Sequence, residues 1–257
     1  MKIWIRRFVY IAVLFYAAIL AAVYFAQRQF LYFPPDFYHA PPAGWTEVKT
    51  PSGILGWHSP AQNGKPTVMV FHGNGSSIDS NLHIFRDLQA EGYGVWSAGY
   101  PGYPGNAGKP AQRPIAAAAK DQYQMLTGLG VTEIIFYGTS LGSGVAAQLA
   151  QDFEPSLLIM DAPFNSMADM AQRNMPFLPS RALLKDKWQS GLALKDLTAP
   201  MIWIHGTADR IVPLSQGQTL FDGYGGPKSS HIIAGAHHTN TWQNGGREIV
   251  LEALKVL

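Results

Sequence analysis

From Thr67 onward the chain alternates short apolar or β-branched runs with longer amphipathic stretches, and this alternation leaves few architectures open. The runs are Thr67 to Phe71, Gly94 to Ala98, Glu133 to Tyr137, Leu157 to Met160, Met201 to Ile204 and His231 to Ala234. Helical patterning fills Asn81 to Ala90, Pro114 to Leu129, Leu141 to Gln151, Leu214 to Phe221 and Glu248 to Leu257. Such alternation predicts an α/β domain with a doubly wound, mostly parallel sheet. Ahead of it, Thr46 to Thr50 and Ile54 to Ser59, joined by Pro51-Ser52-Gly53, predict an N-terminal antiparallel hairpin. Ligands of such sheets gather outside the carboxyl ends of the strands. Residues just past each run are therefore the candidates for chemistry.

Gly138-Thr139-Ser140-Leu141-Gly142 lies where a buried-strand pattern, Glu133 to Tyr137, meets a helix rich in small residues. This is the strand-turn-helix setting of a nucleophile elbow, in which flanking glycines allow a sharp turn that pushes the serine Oγ above the sheet. Ser140 is the candidate nucleophile. The helix N-terminus behind it favours developing negative charge.

A serine hydroxyl is a poor nucleophile without a base and a group to orient that base, and on this fold class they follow in the order Ser, Asp or Glu, His. Asp209, after the run Met201 to Ile204, is the candidate acid, and His238, after His231 to Ala234, the candidate base. Two alternatives stay open. His237 is adjacent to His238, and Asp161, following Leu157 to Met160, is a rival acid whose duller role is to bond the loop Ala162-Pro163-Phe164-Asn165. Acyl transfer also requires donors for an oxyanion. The backbone N–H groups of Leu141 and of Asn74, in His72-Gly73-Asn74-Gly75-Ser76, are the candidates. His72 reads as a buried hydrogen-bonding histidine, and Ser76 and Ser77 as caps of the next helix.

No His, Asp and Glu set has metal-ligand spacing and no glycine-rich run fits a nucleotide loop, so neither metal nor cofactor is expected. With no cysteine, disulfides, thiolate metal sites and a Cys nucleophile are excluded. A net charge of +2 without a basic stripe gives no footprint for nucleic acid.

The N-terminus has a different texture. Phe8 to Ala26 carries no charge, and its 19 residues at 1.5 Å each span roughly the 30 Å of a bilayer core. Lys2, Arg6 and Arg7 precede it and Arg28 follows, so the positive-inside rule puts the N-terminus in the cytoplasm and the rest across the membrane. In a bacterium that side is periplasmic or extracellular. A cleaved signal peptide is the alternative, but the run exceeds an h-region and Tyr24 sits where a small residue belongs. The expected organisation is an anchor over 1–30, a linker rich in proline and aromatics over 31–44, and a catalytic domain over 45–257.

Together these motifs resemble the α/β-hydrolase superfamily. The resemblance rests on His72-Gly73-Asn74-Gly75, Tyr100-Pro101-Gly102-Tyr103, Gly138 to Ser143, Ala162-Pro163-Phe164, His205-Gly206 with Asp209, and Gly235 with His238. More narrowly the chain is similar to a small membrane-anchored branch with a Tyr-Phe-Pro linker, here Tyr32-Phe33-Pro34. That likeness implies the α/β-hydrolase fold, the triad Ser140, Asp209 and His238, and a serine esterase, lipase or thioesterase acting on an ester, thioester or lipid. Gly99 before Tyr100, Pro104-Gly105-Asn106 after Tyr103, and Thr239-Asn240 after the base depart from the family pattern and bear on substrate preference. A peptidase on the same triad, or a catalytically silent scaffold that binds a partner, are the rival functions.

About 40 residues separate Met160 from Met201, more than a crossover needs. Residues 164–196, with Met167, Met170, Met175, Phe177, Leu183 and Trp188, read either as a cap over a lipid-chain pocket or as helices packed on the core.

Overall fold

A computed structural model describes residues 2–256. Met1 and Leu257, the outer ends of the expected anchor and last helix, lie outside the described residues. The chain opens with a 30-residue helix, α1 (Lys2–Leu31), which Pro34-Pro35 prevents from continuing. It is longer than the apolar run because the flanking charges interrupt hydropathy without interrupting helix. A hairpin follows, β1 (Thr46–Lys49) and β2 (Leu55–Ser59). Then come β3 (Thr67–Phe71), α2 (Leu82–Ala90), β4 (Gly94–Ala98), α3 (Gln112–Gly128), β5 (Ile134–Thr139) and α4 (Leu141–Ala150). After β6 (Leu158–Asp161) the segment up to β7 (Met201–Gly206) holds three short helices: α5 (Met167–Asn174), α6 (Ser180–Leu183) and α7 (Ser190–Ala193). The chain ends with α8 (Leu214–Gly223), β8 (Lys228–Ile233) and α9 (Gly246–Lys255).

The strands form one sheet in the order β1-β2-β4-β3-β5-β6-β7-β8. The two hairpin strands are antiparallel, and β3 to β8 pair in parallel. Strand residues alternate between faces, and each face has its own core. Met69, Phe71, Phe136, Leu158 and Met160 pack on the side of α3, α4 and α8, whereas Val68, Val70, Ile135, Ile159, Ile202 and Ile204 pack with α2 and α9. A strand buried on both faces reads as a continuous apolar run, which is why β3 to β7 were legible. β8 is the exception. It starts three residues before the expected His231, because Lys228, Ser229 and Ser230 are exposed on the sheet edge and carry no apolar signal.

The segment between β6 and β7 is packed on the core in part and exposed at its tip. Met170 and Trp188 are buried against the core, while Met175 and Phe177 at its tip are 40% and 86% exposed.

Candidate active site

Ser140 is set by the meeting of β5 and α4. It is one of few non-glycine residues at positive φ, at φ 52° and ψ −117°, a conformation that costs roughly 1–3 kcal/mol and needs surroundings that enforce it. Two glycines supply them. A Cβ on Gly142 would collide with the Phe71 carbonyl of β3, and one on Gly138 would lie 2.6 Å from the Gly142 carbonyl oxygen. The Ser140 N–H donates to the Asp161 carbonyl at 2.9 Å, fastening the turn to β6.

The other expected residues emerge at the same rim. His238 Nδ1 lies 2.7 Å from Asp209 Oδ2, and both side chains are largely withdrawn from solvent. Asp209 Oδ1 accepts the N–H groups of Ile211 and Val212 at 2.8 and 2.9 Å. Burial pushes the Asp209 carboxyl up, but hydrogen bonds from His205 and His238, together with the Ile211 N–H, outweigh it and hold the group well below the usual carboxylate range. Asp209 therefore stays ionised across the working pH range. With Nδ1 engaged there, His238 presents Nε2 to the cleft that it lines together with Ser140. No hydrogen bond joins Ser140 Oγ to His238 among the described residues, a looseness common before substrate is bound.

The rivals are placed elsewhere. His237 is exposed, its Nδ1 3.2 Å from the Ala208 carbonyl. Asp161 accepts from Tyr137 Oη at 2.9 Å and Thr241 Oγ1 at 2.8 Å through Oδ2, not from the backbone of its own loop, and its Oδ1 is buried without a partner. Burial pushes its carboxyl up. Ser77 does not cap α2: its hydroxyl donates to Asp79, and the cap position is Asn81.

His205, quoted only as part of a motif, has a role that sequence reasoning missed. It is fully buried, and Trp203 Nε1 donates to its Nδ1 at 3.1 Å. Its proton is thereby assigned to Nε2, which donates to the Val212 carbonyl at 3.0 Å and lies 3.3 Å from Asp209 Oδ2. The His205–Asp209 spacing of four residues at the carboxyl end of β7 was the available signal.

The two residues expected to supply oxyanion donors, Leu141 and Asn74, line the same recess as Ser140. Leu141 opens α4, where the first N–H groups have no carbonyl a turn earlier to bond. Asn74 lies in the loop after β3, beside Gly73, whose Cβ position is 3.5 Å from Ser140 Cβ. The Asn74 side chain has a separate task. It donates to the Leu31 carbonyl at 2.7 Å and accepts from Phe33 N–H and Tyr103 Oη at 2.9 Å each, joining this loop to the end of α1. His72 is buried and stacked on Tyr100 with centroids 4.0 Å apart; burial pushes its imidazole down to about 4, so it is neutral.

Ser140 stands between two recesses. One is the polar cleft with His238, Asp161 and Thr241. The other is an apolar cavity of about 360 Å³ formed by α1, the segment between β6 and β7, and Ile211. No cluster of His, Asp or Glu suited to a metal occurs among the described residues.

Strand order, the turn at Ser140 and the strand-end position of Asp209 and His238 define the α/β-hydrolase class of fold. The sequence model of the alpha/beta hydrolase fold matches residues 66–184. An uncharacterized protein of Mycobacterium tuberculosis is 30% identical over 252 residues, covering 93% of this chain and 89% of that protein. A lysophosphatidylserine lipase of Danio rerio is 26% identical over 208 residues, 72% of this chain and 54% of that protein. An esterase structure from Pyrococcus furiosus superposes with a TM-score of 0.71 at 19% identity, covering 87% of this chain and 97% of that one, a likeness of fold. The chain belongs to the α/β-hydrolase fold family.

Proposed function

We propose that the protein is a serine hydrolase that cleaves carboxylic esters or thioesters through an acyl-enzyme. The observation that carries this reading is the convergence, on one rim, of a serine held at φ 52° with a His238–Asp209 pair bonded at 2.7 Å. Ser140 Oγ attacks the acyl carbon while His238 Nε2 takes its proton, and Asp209 fixes the tautomer and balances the imidazolium. The oxyanion is held by the N–H groups of Leu141 and Asn74. His238 returns the proton to the departing alkoxide or thiolate and then draws one from water; the hydroxide so formed adds to the acyl carbon, and as the bond to Ser140 Oγ breaks His238 gives that proton to Oγ, releasing the acid and restoring Ser140. The apolar cavity at Ser140 suits the acyl side of the substrate. That the Danio rerio relative is a lipase supports the same direction.

We further propose that α1 anchors the protein with its N-terminus cytoplasmic and the catalytic domain on the opposite side. α1 is long and apolar enough to cross a membrane, and its basic residues concentrate at the N-terminal end.

A fluorophosphonate probe tests the hydrolase reading. The parent protein is expected to be labelled and Ser140→Ala not, and absence of Ser140-dependent label on folded protein would sink it. Turnover of matched ester, thioester and peptide substrates then separates the acyl classes, with the peptide expected to be the poorest.

A further inference from the structure

The wall of the apolar cavity is shared between two parts of the molecule that the sequence keeps far apart. Met167, Met170 and Leu183 come from the segment between β6 and β7, and Val23, Phe30 and Leu31 from α1. On α1, Leu20, Val23, Ala26, Gln27 and Leu31 are partly or wholly covered and lie along one stripe, at the three- and four-residue spacing of a helix face. The helix that is apolar enough to cross a membrane is thus also part of the site.

Polar contacts fix that stripe in place. Gln27 Nε2 donates to the Leu183 carbonyl at 3.2 Å, and its Oε1 accepts from Lys185 N–H at 2.7 Å. Arg28 makes a two-point contact with the buried Asp186, at 2.9 and 3.1 Å. Asn74 holds Leu31 and Phe33 from the other side. A bare tether would need none of these.

A further contact lies well up the helix. Tyr16 Oη donates to the Phe177 carbonyl at 2.7 Å. Tyr16 is 11 residues before Gln27, or about 16 Å along the axis, and falls inside the uncharged stretch that reads as the span. The tip Met175-Pro176-Phe177-Leu178 is uncharged, and Phe177 is 86% exposed there. An exposed apolar tip beside a membrane helix is costly in water and favourable in lipid.

We infer that the cavity opens into the bilayer between α1 and the tip at Phe177, and that its ligand is a single-chain lipid ester drawn from the membrane. The acyl chain fills the cavity, the carbonyl reaches Ser140, and the head group lies toward the polar cleft of His238. A volume of about 360 Å³ is near the low end of ligand pockets, roughly 300–1,000 Å³, which fits one chain rather than two. The inference rests on Ser140 being the nucleophile.

The test uses the full-length protein in phosphatidylcholine vesicles with p-nitrophenyl butyrate and dodecanoate. Val23→Trp narrows the cavity from the α1 side and is expected to lower the dodecanoate-to-butyrate ratio of kcat/KM about tenfold or more. Val23→Ala disturbs the helix less and is expected to raise the same ratio. A ratio unmoved by either variant overturns the assignment of α1 to the acyl site. Failure of the parent to hydrolyse either ester in a Ser140-dependent way would instead be a failure of the hydrolase reading.

A second measurement is independent of turnover. Because the chain has no cysteine, Phe177→Cys can carry a single environment-sensitive fluorophore. Its emission is expected to be blue-shifted and quenched by nitroxide-labelled acyl chains, as for Ala18→Cys in α1, whereas Ser229→Cys on the sheet edge is not. An emission at Phe177→Cys matching that of Ser229→Cys overturns the opening into the bilayer.

Discussion

Asp161 ends β6 and Asp209 follows the end of the neighbouring strand β7, and although the motif favours Asp209, position along the chain alone leaves Asp161 a rival. Their surroundings treat them in opposite ways. Asp209 accepts from two histidines and two backbone N–H groups, whereas Asp161 has one oxygen shared by Tyr137 and Thr241 and one without a partner. Those partners come from remote strand ends and loops, so only folding distinguishes the two. Asp209→Asn is expected to lose about 10⁴ in kcat by leaving His238 in the wrong tautomer, and Asp161→Asn less than about tenfold. Stability should move the other way for Asp161. A carboxyl raised by burial contributes stability below its unfolded pKa, near 3.9, and loses it as pH rises through the raised folded value. At neutral pH its ionised form is a cost, so Asp161→Asn should melt at or above the parent temperature at pH 7, with the difference shrinking toward pH 4. His72 gives the converse slope. Its imidazole is lowered by burial from 6.5 to about 4, so its contribution is complete above 6.5 and is lost as pH falls from there toward 4. That shift corresponds to about 3 kcal/mol. Urea melts of His72→Phe, which keeps a ring against Tyr100, should be flatter than the parent across that interval, and an unchanged acid slope would count against a neutral buried His72.

At the level of elements, the turn between β5 and α4 depends on how closely α4 approaches β3. Gly142 has no room for a side chain beneath the Phe71 carbonyl, while Gly128, the last residue of α3, has nothing within 4 Å of its Cβ position and no positive φ. Gly142→Ala should therefore cost about 3 kcal/mol or more by overpacking. Gly128→Ala should gain roughly 0.5 kcal/mol by restricting the unfolded chain and improving helix propensity. Denaturant midpoints of the two variants should fall on opposite sides of the parent, and a neutral Gly142→Ala would show that α4 can withdraw from β3. The same contrast explains what could be read from sequence. Elements buried on both faces, such as β3 and β5, announced themselves as apolar runs, and the Gly-x-Ser-x-Gly turn announced the helix after it. The short helices α5 to α7 did not, because four to eight residues give too few turns for a period to emerge.

For the molecule as a whole, the sequence separated an apolar N-terminal run from an α/β domain but carried no sign that the two interlock. The bonds from Gln27, Arg28 and Asn74 join residues more than 40 apart in the chain, and no local pattern encodes such pairs. Interlocking makes orientation consequential. Arg28 is tied to Asp186 on the domain side, which leaves Lys2, Arg6 and Arg7 at the opposite end of α1 as the charges that set direction. The proposed topology then places Lys2 in the cytoplasm and β8 outside. In a chain without native cysteine, Ser229→Cys in sealed cells or spheroplasts should react with a membrane-impermeant maleimide before lysis, and Lys2→Cys only after it. Replacing Lys2, Arg6 and Arg7 with glutamine should weaken this preference, so that part of the population has Ser229→Cys protected. Because the domain is bolted to the last turns of α1, molecules inserted the wrong way round should keep the domain folded on the cytoplasmic face and still take a permeant fluorophosphonate at Ser140. The reverse labelling pattern in the parent, with Lys2→Cys open and Ser229→Cys protected, would overturn the topology and leave the site chemistry untouched.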